Sequence, residues 1–213
     1  MRTIMLLNAK GGCGKSTLAS NLASYFACEG KTVALVDFDP QKSSLEWLAV
    51  RSENDWEIIG IDGTQADMKI PRNLDVVIYD VPAGISGKEL TAMVKRADTL
   101  IIPVLPSPID IRAASHFIRD LLLVGKISRK QTKLAVVANR VRENTLVYHK
   151  LEKFLSSLKI PFVATLRDTQ NYIRAEERGL GIFELAPSLV AQDIEQWEPL
   201  LKWLRSKRSM PQD

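Results

Sequence analysis

Eight consecutive residues near the start of the sequence have the types and the spacing that bind phosphate. They form the run Lys10-Gly11-Gly12-Cys13-Gly14-Lys15-Ser16-Thr17. Glycines let the backbone fold around an anion with its N–H groups pointing inward, and the start of a following helix adds the positive end of its dipole. In such a loop Lys15 would reach the β- and γ-phosphates of a nucleotide, and the hydroxyl of Ser16 would ligate Mg²⁺.

Carboxylates follow two of the predicted strands, where a metal ion and an attacking water would need them. Asp37 and Asp39 end the second predicted strand, and Pro40 stops that strand. Asp80 follows the apolar run 76–79 of a later strand. A carboxylate at such a strand end can hold Mg²⁺, usually through water, beside a phosphate loop. Asp37 could equally cap the helix that follows it.

The lysine at position 10 is unusual for a phosphate loop. The ordinary loop pattern has a glycine where this sequence has Ala9, and Lys10 comes next. A lysine so close to the loop cannot easily turn back onto the phosphates bound there. We therefore expect its side chain to reach across a subunit boundary to the nucleotide of another chain.

Apolar runs of strand length alternate with helical patterns along the whole sequence. The predicted strands are residues 3–8, 32–37, 57–61, 74–79, 99–104, 133–138 and 161–165. The predicted helices lie near residues 15–28, 42–52, 87–97, 110–125, 144–158, 168–178 and 189–207. Several strands are apolar on both faces, which suits a parallel sheet covered on both sides. The pattern predicts an α/β fold in which a doubly wound, mostly parallel sheet is flanked by helices on both faces. We expect one domain, residues 1–213, with ligands at the carboxyl ends of the strands.

These motifs resemble the ParA/MinD family of ATPases, whose phosphate loop is a deviant Walker A motif with a signature lysine at the position of Lys10. The resemblance implies a P-loop NTPase fold with ATP and Mg²⁺ as cofactors. It implies that Lys10 contacts the phosphates bound by the partner in a face-to-face homodimer. The run that ends in Asp80 is similar to the family's Walker B strand, so Asp80 would hold Mg²⁺ together with Ser16.

The segment 37–41 is similar to the DxDPQ segment of ParA proteins. In that family the second aspartate lies beside the γ-phosphate and positions the hydrolytic water. The resemblance therefore implies this role for Asp39, which would act with Lys10 and Lys15 in hydrolysis. It leaves Asp37 as a candidate for the metal shell.

Two later segments also resemble the family. Asn139 and Arg140 follow the sixth predicted strand, where residues of the family flank the adenine. Asn139 could instead form a turn, and Arg140 could belong to a solvated basic face. The stretch 103–110 resembles a proline-rich segment that adjoins the dimer contact of small plasmid-partition ParA proteins. Its prolines predict that no helix begins before Ile109, and Asp110 would cap a helix over 111–125.

Positive charge is concentrated in the second half of the sequence. The net charge is +4, with a balance of −2 over residues 1–100 and +6 over residues 101–213. Basic residues cluster at 126–150, where Glu143 is the only acid, and again at 202–208. Two such clusters suggest a surface for a polyanion. Given the resemblance, the candidate DNA contacts are Arg174, Lys202, Arg205, Lys207 and Arg208.

Cysteine usage and hydropathy indicate the compartment. Cys13 and Cys28 are interpreted as reduced thiols, and the sequence shows neither a secretory signal nor an apolar run of membrane-spanning length. We expect a cytoplasmic bacterial protein that is associated with the nucleoid and has no membrane partner.

The resemblance is closest to the short ParA-type ATPases, since no helix-turn-helix segment precedes the first strand. It implies a switch in which ATP joins two subunits and the dimer binds DNA without sequence preference. A ParB-like or adaptor protein would stimulate weak intrinsic hydrolysis, and the cycle would segregate a plasmid or position a protein cargo.

Three alternatives to the switch come from other functional classes. A MinD-like membrane-cycling regulator would need a C-terminal amphipathic helix, but residues 206–213 offer no apolar face beyond Met210. A reductase resembling nitrogenase iron protein would need cysteines after later strands, whereas both cysteines precede residue 30. A metabolic ligase or synthetase of the same superfamily would commonly lack the lysine at position 10.

Overall fold

The computed structural model of the chain describes residues 1–124, 132–142 and 145–211. Within these residues the strands are β1 (Arg2–Leu6), β2 (Val33–Asp37), β3 (Ile59–Asp62), β4 (Val76–Asp80), β5 (Thr99–Val104), β6 (Lys133–Val141) and β7 (Phe162–Arg167). They form one sheet in the order β3-β2-β4-β1-β5-β6-β7, and every strand pair with a described register is parallel. The predicted α/β class with a parallel sheet is confirmed.

Each predicted helix is present among the described residues, with ends shifted by a few residues. The helices are α1 (Lys15–Cys28), α2 (Ser43–Val50), α3 (Gly87–Val94), α4 (Pro108–Val124), α5 (Leu146–Ser157), α6 (Gln170–Glu176) and α7 (Pro187–Arg205). Two single 3₁₀ turns occur at Ile182–Glu184 and Lys207–Ser209.

Helix α4 begins one residue earlier than the prolines suggest, and its cap is Ser107. The backbone N–H of Asp110 donates to the Ser107 hydroxyl at 3.1 Å, and that hydroxyl donates in turn to the Asp110 carboxylate. Pro108 opens the helix because the first helical N–H has no partner within the helix, so its absence costs nothing there. The predictions that no helix begins before Ile109 and that Asp110 is the cap are therefore wrong.

The chain divides into two compact units, each built from several separate segments. The first unit contains residues 1–6, 15–82 and 169–194, and the second contains residues 7–14, 83–168 and 195–213. The organisation of residues 1–213 as a single domain stays a prediction.

In the first unit the central strands are apolar and fully covered. Every residue of β2 and β4 is buried, while β3 at the sheet edge is half-buried or exposed. Helix α1 packs against β1, β2 and β4, and α2 packs against β2 and β3. This packing fixes the carboxyl ends of β2 and β4, where Asp37 and Asp80 lie.

In the second unit β5 is buried along its whole length, as its run Thr99–Val104 predicts. Helix α4 packs against β5, and α5 packs against β6. The hydroxyl of Thr99 donates to the carbonyl of Ser209 at 2.7 Å, which ties the last 3₁₀ turn to the start of β5. The C-terminal cations are thereby attached to the body of this unit.

A buried ion pair joins distant parts of the first unit. Arg51 Nη2 lies 2.7 Å from Glu184 Oε1, and the two side chains are only 6% and 7% exposed. Glu184 also accepts hydrogen bonds from the Ser24 hydroxyl and the Gly181 N–H, each at 2.7 Å. The Arg51 guanidinium stands 5.1 Å from the centre of the Trp47 ring. The pair therefore connects α1, the end of α2 and the turn after α6.

Replacing Arg51 by alanine should lower the free energy of unfolding by about 3–5 kcal/mol, because it leaves the Glu184 carboxylate buried without its cation. The matched control is Arg142→Ala, which removes an exposed pair with Asp168 at 3.0 Å and should cost at most about 1 kcal/mol. Urea unfolding followed by circular dichroism measures both values. Equal losses in the two variants would contradict the structural role of the buried pair.

Candidate nucleotide-binding site

The phosphate loop connects β1 to α1 and uses glycine where the backbone requires it. Gly12 and Gly14 have φ angles of 75° and 91°, in the left-handed region that side chains disfavour. Cys13 between them is fully buried, and its thiol donates to the carbonyl of Lys10 at 3.3 Å. Residues 10–14 belong to the second unit and residues 15–17 to the first.

In the second unit two buried asparagines fasten the loop to the ends of neighbouring strands. The Asn8 amide donates to the carbonyl of Pro103 at 2.7 Å. The Asn139 amide donates to the carbonyl of Cys13 at 2.9 Å, and its side chain is buried. This contact gives Asn139 a role in holding the loop that the sequence did not indicate.

Asn139 and Arg140 lie within β6, not after it, because the strand continues to Val141. The prediction of a strand that ends at residue 138 is wrong at this point. Arg140 is exposed with φ 51°, at an irregularity of the register between Ala138 and Val141. Such a bulge redirects side chains at a strand end. Contacts of both residues with adenine stay predictions.

Lys10 is paired within its own chain. Its Nζ lies 2.9 Å from Asp110 Oδ1 in the first turn of α4, and the two side chains are 40% and 7% exposed. The lysine is thus half-buried at the base of the loop, held by a nearly buried carboxylate. A contact with the nucleotide of a second subunit would require Lys10 to leave Asp110.

In the first unit Asp80 lies at the centre of a cluster of hydroxyl groups. It is almost fully buried, its Oδ2 accepts a hydrogen bond from the Ser44 hydroxyl at 2.6 Å, and the Ser16 side chain is also hydrogen-bonded to it. Burial raises the pKa of Asp80 to about 6, although the two serines and the nearby charge of Lys15 oppose this rise. Lys15 and Ser16, the first residues of α1, therefore lie beside the predicted Walker B carboxylate.

Asp37 caps helix α2. One of its oxygens accepts the N–H of Asp39 at 2.9 Å, and the other accepts the N–H groups of Ser44 at 2.9 Å and Leu45 at 3.3 Å. Burial raises the pKa of Asp37, and these backbone hydrogen bonds oppose the rise. The sequence left open whether Asp37 binds a metal or caps a helix, and the hydrogen bonds show that it caps α2. A place for Asp37 in a metal shell stays a prediction.

Asp39 lies in the loop between β2 and α2, half-buried, and its Oδ1 accepts the N–H of Gln41 at 3.0 Å. The loop is held further along by Lys42, whose Nζ lies 2.7 Å from Asp62 at the end of β3. Lys42 has φ 53°, an uncommon conformation for a residue with a side chain. Hydrogen bonds from Lys42, Thr64 and Gln65 hold the pKa of Asp62 well below its usual range. Sequence reasoning missed both Asp62 and Ser44.

The donor set fits Mg²⁺ only if a nucleotide completes it. Among the described residues no group of three or more His, Cys, Asp or Glu side chains could hold a metal ion. Mg²⁺ usually binds to one or two carboxylates or hydroxyls together with phosphates and several waters. Asp80 and Ser16 supply such a pair of hard oxygen donors, hydrogen-bonded to each other beside Lys15. The residues present therefore fit a metal that arrives with phosphate.

The predicted DNA contacts fall in both units. Arg174 is exposed on α6 in the first unit, while the other four lie in the second. Arg205 and Lys202 lie 2.8 Å and 3.7 Å from Glu198, and Lys207 and Arg208 are exposed on the last 3₁₀ turn. The basic residues 126, 129 and 130 lie outside the described residues. In the part of the chain that is described, no helix has the length and apolar character needed to cross a membrane.

The chain is similar to curated relatives along most of its length. It is 27% identical over 190 residues to maintenance of carboxysome distribution protein A from Halothiobacillus neapolitanus, covering 86% of this chain and 87% of that protein. It is 31% identical over 194 residues to the protein of the same name from Gloeobacter kilaueensis, covering 86% and 84%.

A solved structure shares the fold. An ATP complex of McdA from Cyanothece matches with a TM-score of 0.69 at 17% identity, covering 94% of this chain and 96% of that one. At this identity the likeness supports the fold alone. The expected cofactors, ATP and Mg²⁺, agree with the family and with its solved neighbours.

The family is identified by a match that includes the phosphate loop and the carboxylates beside it. Residues 4–182 match the CobQ/CobB/MinD/ParA nucleotide binding domain, which covers the phosphate loop, Asp39, Asp80 and Asn139. The resemblance to ParA/MinD proteins is thus confirmed, and the chain belongs to the CobQ/CobB/MinD/ParA family of nucleotide-binding P-loop domains.

Proposed function

We propose that this protein is an ATP-dependent dimerising switch that positions a cargo in the bacterial cytoplasm. ATP with Mg²⁺ joins two subunits, and the dimer binds nucleoid DNA without sequence preference. A ParB-like or adaptor protein then stimulates hydrolysis, which releases the dimer from DNA. The intrinsic hydrolysis is weak.

The observation that carries this proposal is the second lysine beside the phosphate loop. Lys15 begins α1 next to Ser16 and Asp80, where it serves the nucleotide of its own chain. Lys10 lies at the start of the same loop, and its ammonium group is paired with Asp110. A second lysine at this position suits an ATPase whose active site is completed by a residue of a second subunit. In that site Lys10 supplies a trans positive charge for the transition state.

The choice of cargo rests on two of the relatives that match most of the chain. Both carry a name that refers to carboxysome distribution, and each is matched over more than four-fifths of its length. This supports a protein assembly as the cargo, with plasmid DNA as the other candidate. The MinD-like membrane regulator and the metabolic ligase stay as alternatives. Binding to anionic vesicles would favour the first, and rapid turnover of a small substrate without DNA would favour the second.

Asp39→Ala should retain ATP binding and ATP-dependent dimerisation but lower the hydrolysis rate by roughly 100-fold or more, because the attacking water loses its positioning carboxylate. Phosphate release under saturating ATP measures this. Asp67→Ala, at an exposed aspartate elsewhere in the first unit, is the control and should hydrolyse ATP normally. Hydrolysis at the wild-type rate in Asp39→Ala would show that another group positions the water.

Lys10→Ala should bind ATP with nearly wild-type affinity yet stay monomeric, because its cation acts on the nucleotide of the partner. Light scattering with ATP measures the dimer, and a fluorescent ATP analogue measures the affinity. The control Lys88→Ala removes an exposed lysine from the same unit and should dimerise. If Lys10→Ala loses ATP affinity at concentrations where the wild type is monomeric, the lysine acts in its own chain.

DNA binding should require ATP, ignore sequence and weaken steeply with salt, since each phosphate contact contributes about −0.9 to the slope of log affinity against log salt. Replacing Lys202, Arg205, Lys207 and Arg208 by alanine removes up to eight contacts from a dimer. The slope should therefore become shallower by up to about 7 while dimerisation persists.

A charge-matched control separates specific contacts from net charge in this experiment. Lys69, Arg72, Lys88 and Lys95 are exposed, and their replacement by alanine also removes four positive charges. Salt titrations of binding to two unrelated duplexes, each with ATP, ADP and no nucleotide, compare the variants. Equal binding in the three nucleotide states would exclude the switch, and an equal fall in slope for the control would exclude the C-terminal contacts.

A further inference from the structure

Ser44 joins two carboxylates at the ends of neighbouring strands. It is 1% exposed in the first turn of α2. Its N–H donates to Asp37 Oδ2 at 2.9 Å, and its hydroxyl donates to Asp80 Oδ2 at 2.6 Å. Asp37 and Asp80 are themselves paired in the register of β2 and β4. One buried residue thus contacts both strand ends, one through its backbone and the other through its side chain.

Hydrogen bonds hold the helix that carries Ser44 at two points. One turn along α2, the indole of Trp47 donates to the carbonyl of Leu180 at 3.2 Å, and Trp47 is itself buried. The backbone hydrogen bonds from Ser44 and Leu45 to Asp37 fix the start of the same helix. Because the helix is fixed at both points, the Ser44 hydroxyl keeps one Asp80 oxygen from rotating. The Ser16 side chain is hydrogen-bonded to the same carboxylate, so Ser44 and Ser16 together orient it.

We propose that Ser44 is a positioning residue for the divalent cation, which orients the Asp80 carboxylate toward a metal shared with Ser16. The inference rests on the proposed Mg²⁺–nucleotide site. It assigns a role to a residue that belongs neither to the phosphate loop nor to the strand-end carboxylates. Hydrogen bonds that orient a metal-binding carboxylate typically account for 10- to 100-fold in metal affinity. The N–H of the same residue also donates to Asp37 at the start of the loop that carries Asp39. Ser44 therefore contacts both the proposed metal site and that loop.

Ser44→Ala removes only the contact of interest. The backbone N–H that caps α2 through Asp37 remains, and alanine is a better helix former than serine, so the helix should persist. Ser43→Ala is the matched control, because Ser43 is the adjacent serine of the same helix turn but is exposed. Both serines line the recess beside Ser16, and only Ser44 donates to Asp80 in the described hydrogen bonds.

Mn²⁺ serves as the probe, and its binding to the full chain with ADP is followed by electron paramagnetic resonance. The Mn²⁺ dissociation constant should rise about 10- to 100-fold in Ser44→Ala and stay unchanged in Ser43→Ala. The affinity of all three proteins for fluorescent ADP in EDTA should be equal, and so should their urea midpoints. In ATP hydrolysis, Ser44→Ala should need a correspondingly higher Mg²⁺ concentration for half its maximal rate, with the rate at saturating Mg²⁺ close to wild type.

Each outcome decides between the inference and its alternatives. A Mn²⁺ dissociation constant within two-fold of wild type in Ser44→Ala overturns the positioning role, as does an equal loss in Ser43→Ala. Loss of metal-free ADP binding in Ser44→Ala would also overturn it, because the defect would then extend beyond the metal. If the wild type fails to bind Mn²⁺ with ADP, the proposed nucleotide site itself is wrong, and this result is distinct from a failure of the Ser44 variant.

Discussion

The register of three parallel strands places three carboxylates side by side at the carboxyl ends of those strands. The loop after β2 is held by contacts with these carboxylates. Asp62 pairs with Asp37, and Asp37 pairs with Asp80, at the ends of β3, β2 and β4. Neighbouring strands lie about 4.8 Å apart, so three acids in adjacent strands repel one another unless other groups offset their charge. The loop after β2 and the first turn of α2 supply those groups, through Lys42, Ser44 and several backbone N–H groups.

The three carboxylates differ in how their negative charge is stabilised, and this difference indicates which of them would bind a cation. Asp62 has the ammonium group of Lys42, and Asp37 has three backbone N–H groups. Asp80 is as buried as Asp37 but accepts hydrogen bonds from two serine hydroxyl groups, and burial raises its pKa to about 6 although the charge of Lys15 opposes the rise. A divalent cation would therefore stabilise Asp80 more than either neighbour, because an opposite charge nearby favours the ionised form. Asp80 is therefore favoured over Asp37 as the metal-binding carboxylate of the proposed nucleotide site.

The sequence predicted the parts of the fold that depend on local pattern and missed those that depend on distant partners. The strands, the seven helices and the glycine loop follow from apolar periodicity and from residues that need a positive φ. Asp62, Ser44 and Glu184 were not singled out for a role, because their contacts depend on strand register or span up to 160 residues of chain. The start of α4 was misplaced because a proline in the first helical turn was interpreted as a barrier when it is tolerated there.

In the proposed switch, the pairing of Lys10 with Asp110 would make the contact of Lys10 with a second subunit depend on nucleotide. Asp110 is nearly buried while Lys10 is partly exposed, so removal of the lysine leaves a carboxylate that water reaches poorly. Breaking a buried ion pair by removing one partner costs about 3–5 kcal/mol, and the exposure of Lys10 reduces that cost. The phosphates of a triphosphate carry several negative charges and can compete with one carboxylate for the same ammonium group. In the proposed switch, the exchange is favourable only when the second subunit presents its phosphates, so Lys10 stays with Asp110 in a subunit that has no loaded partner.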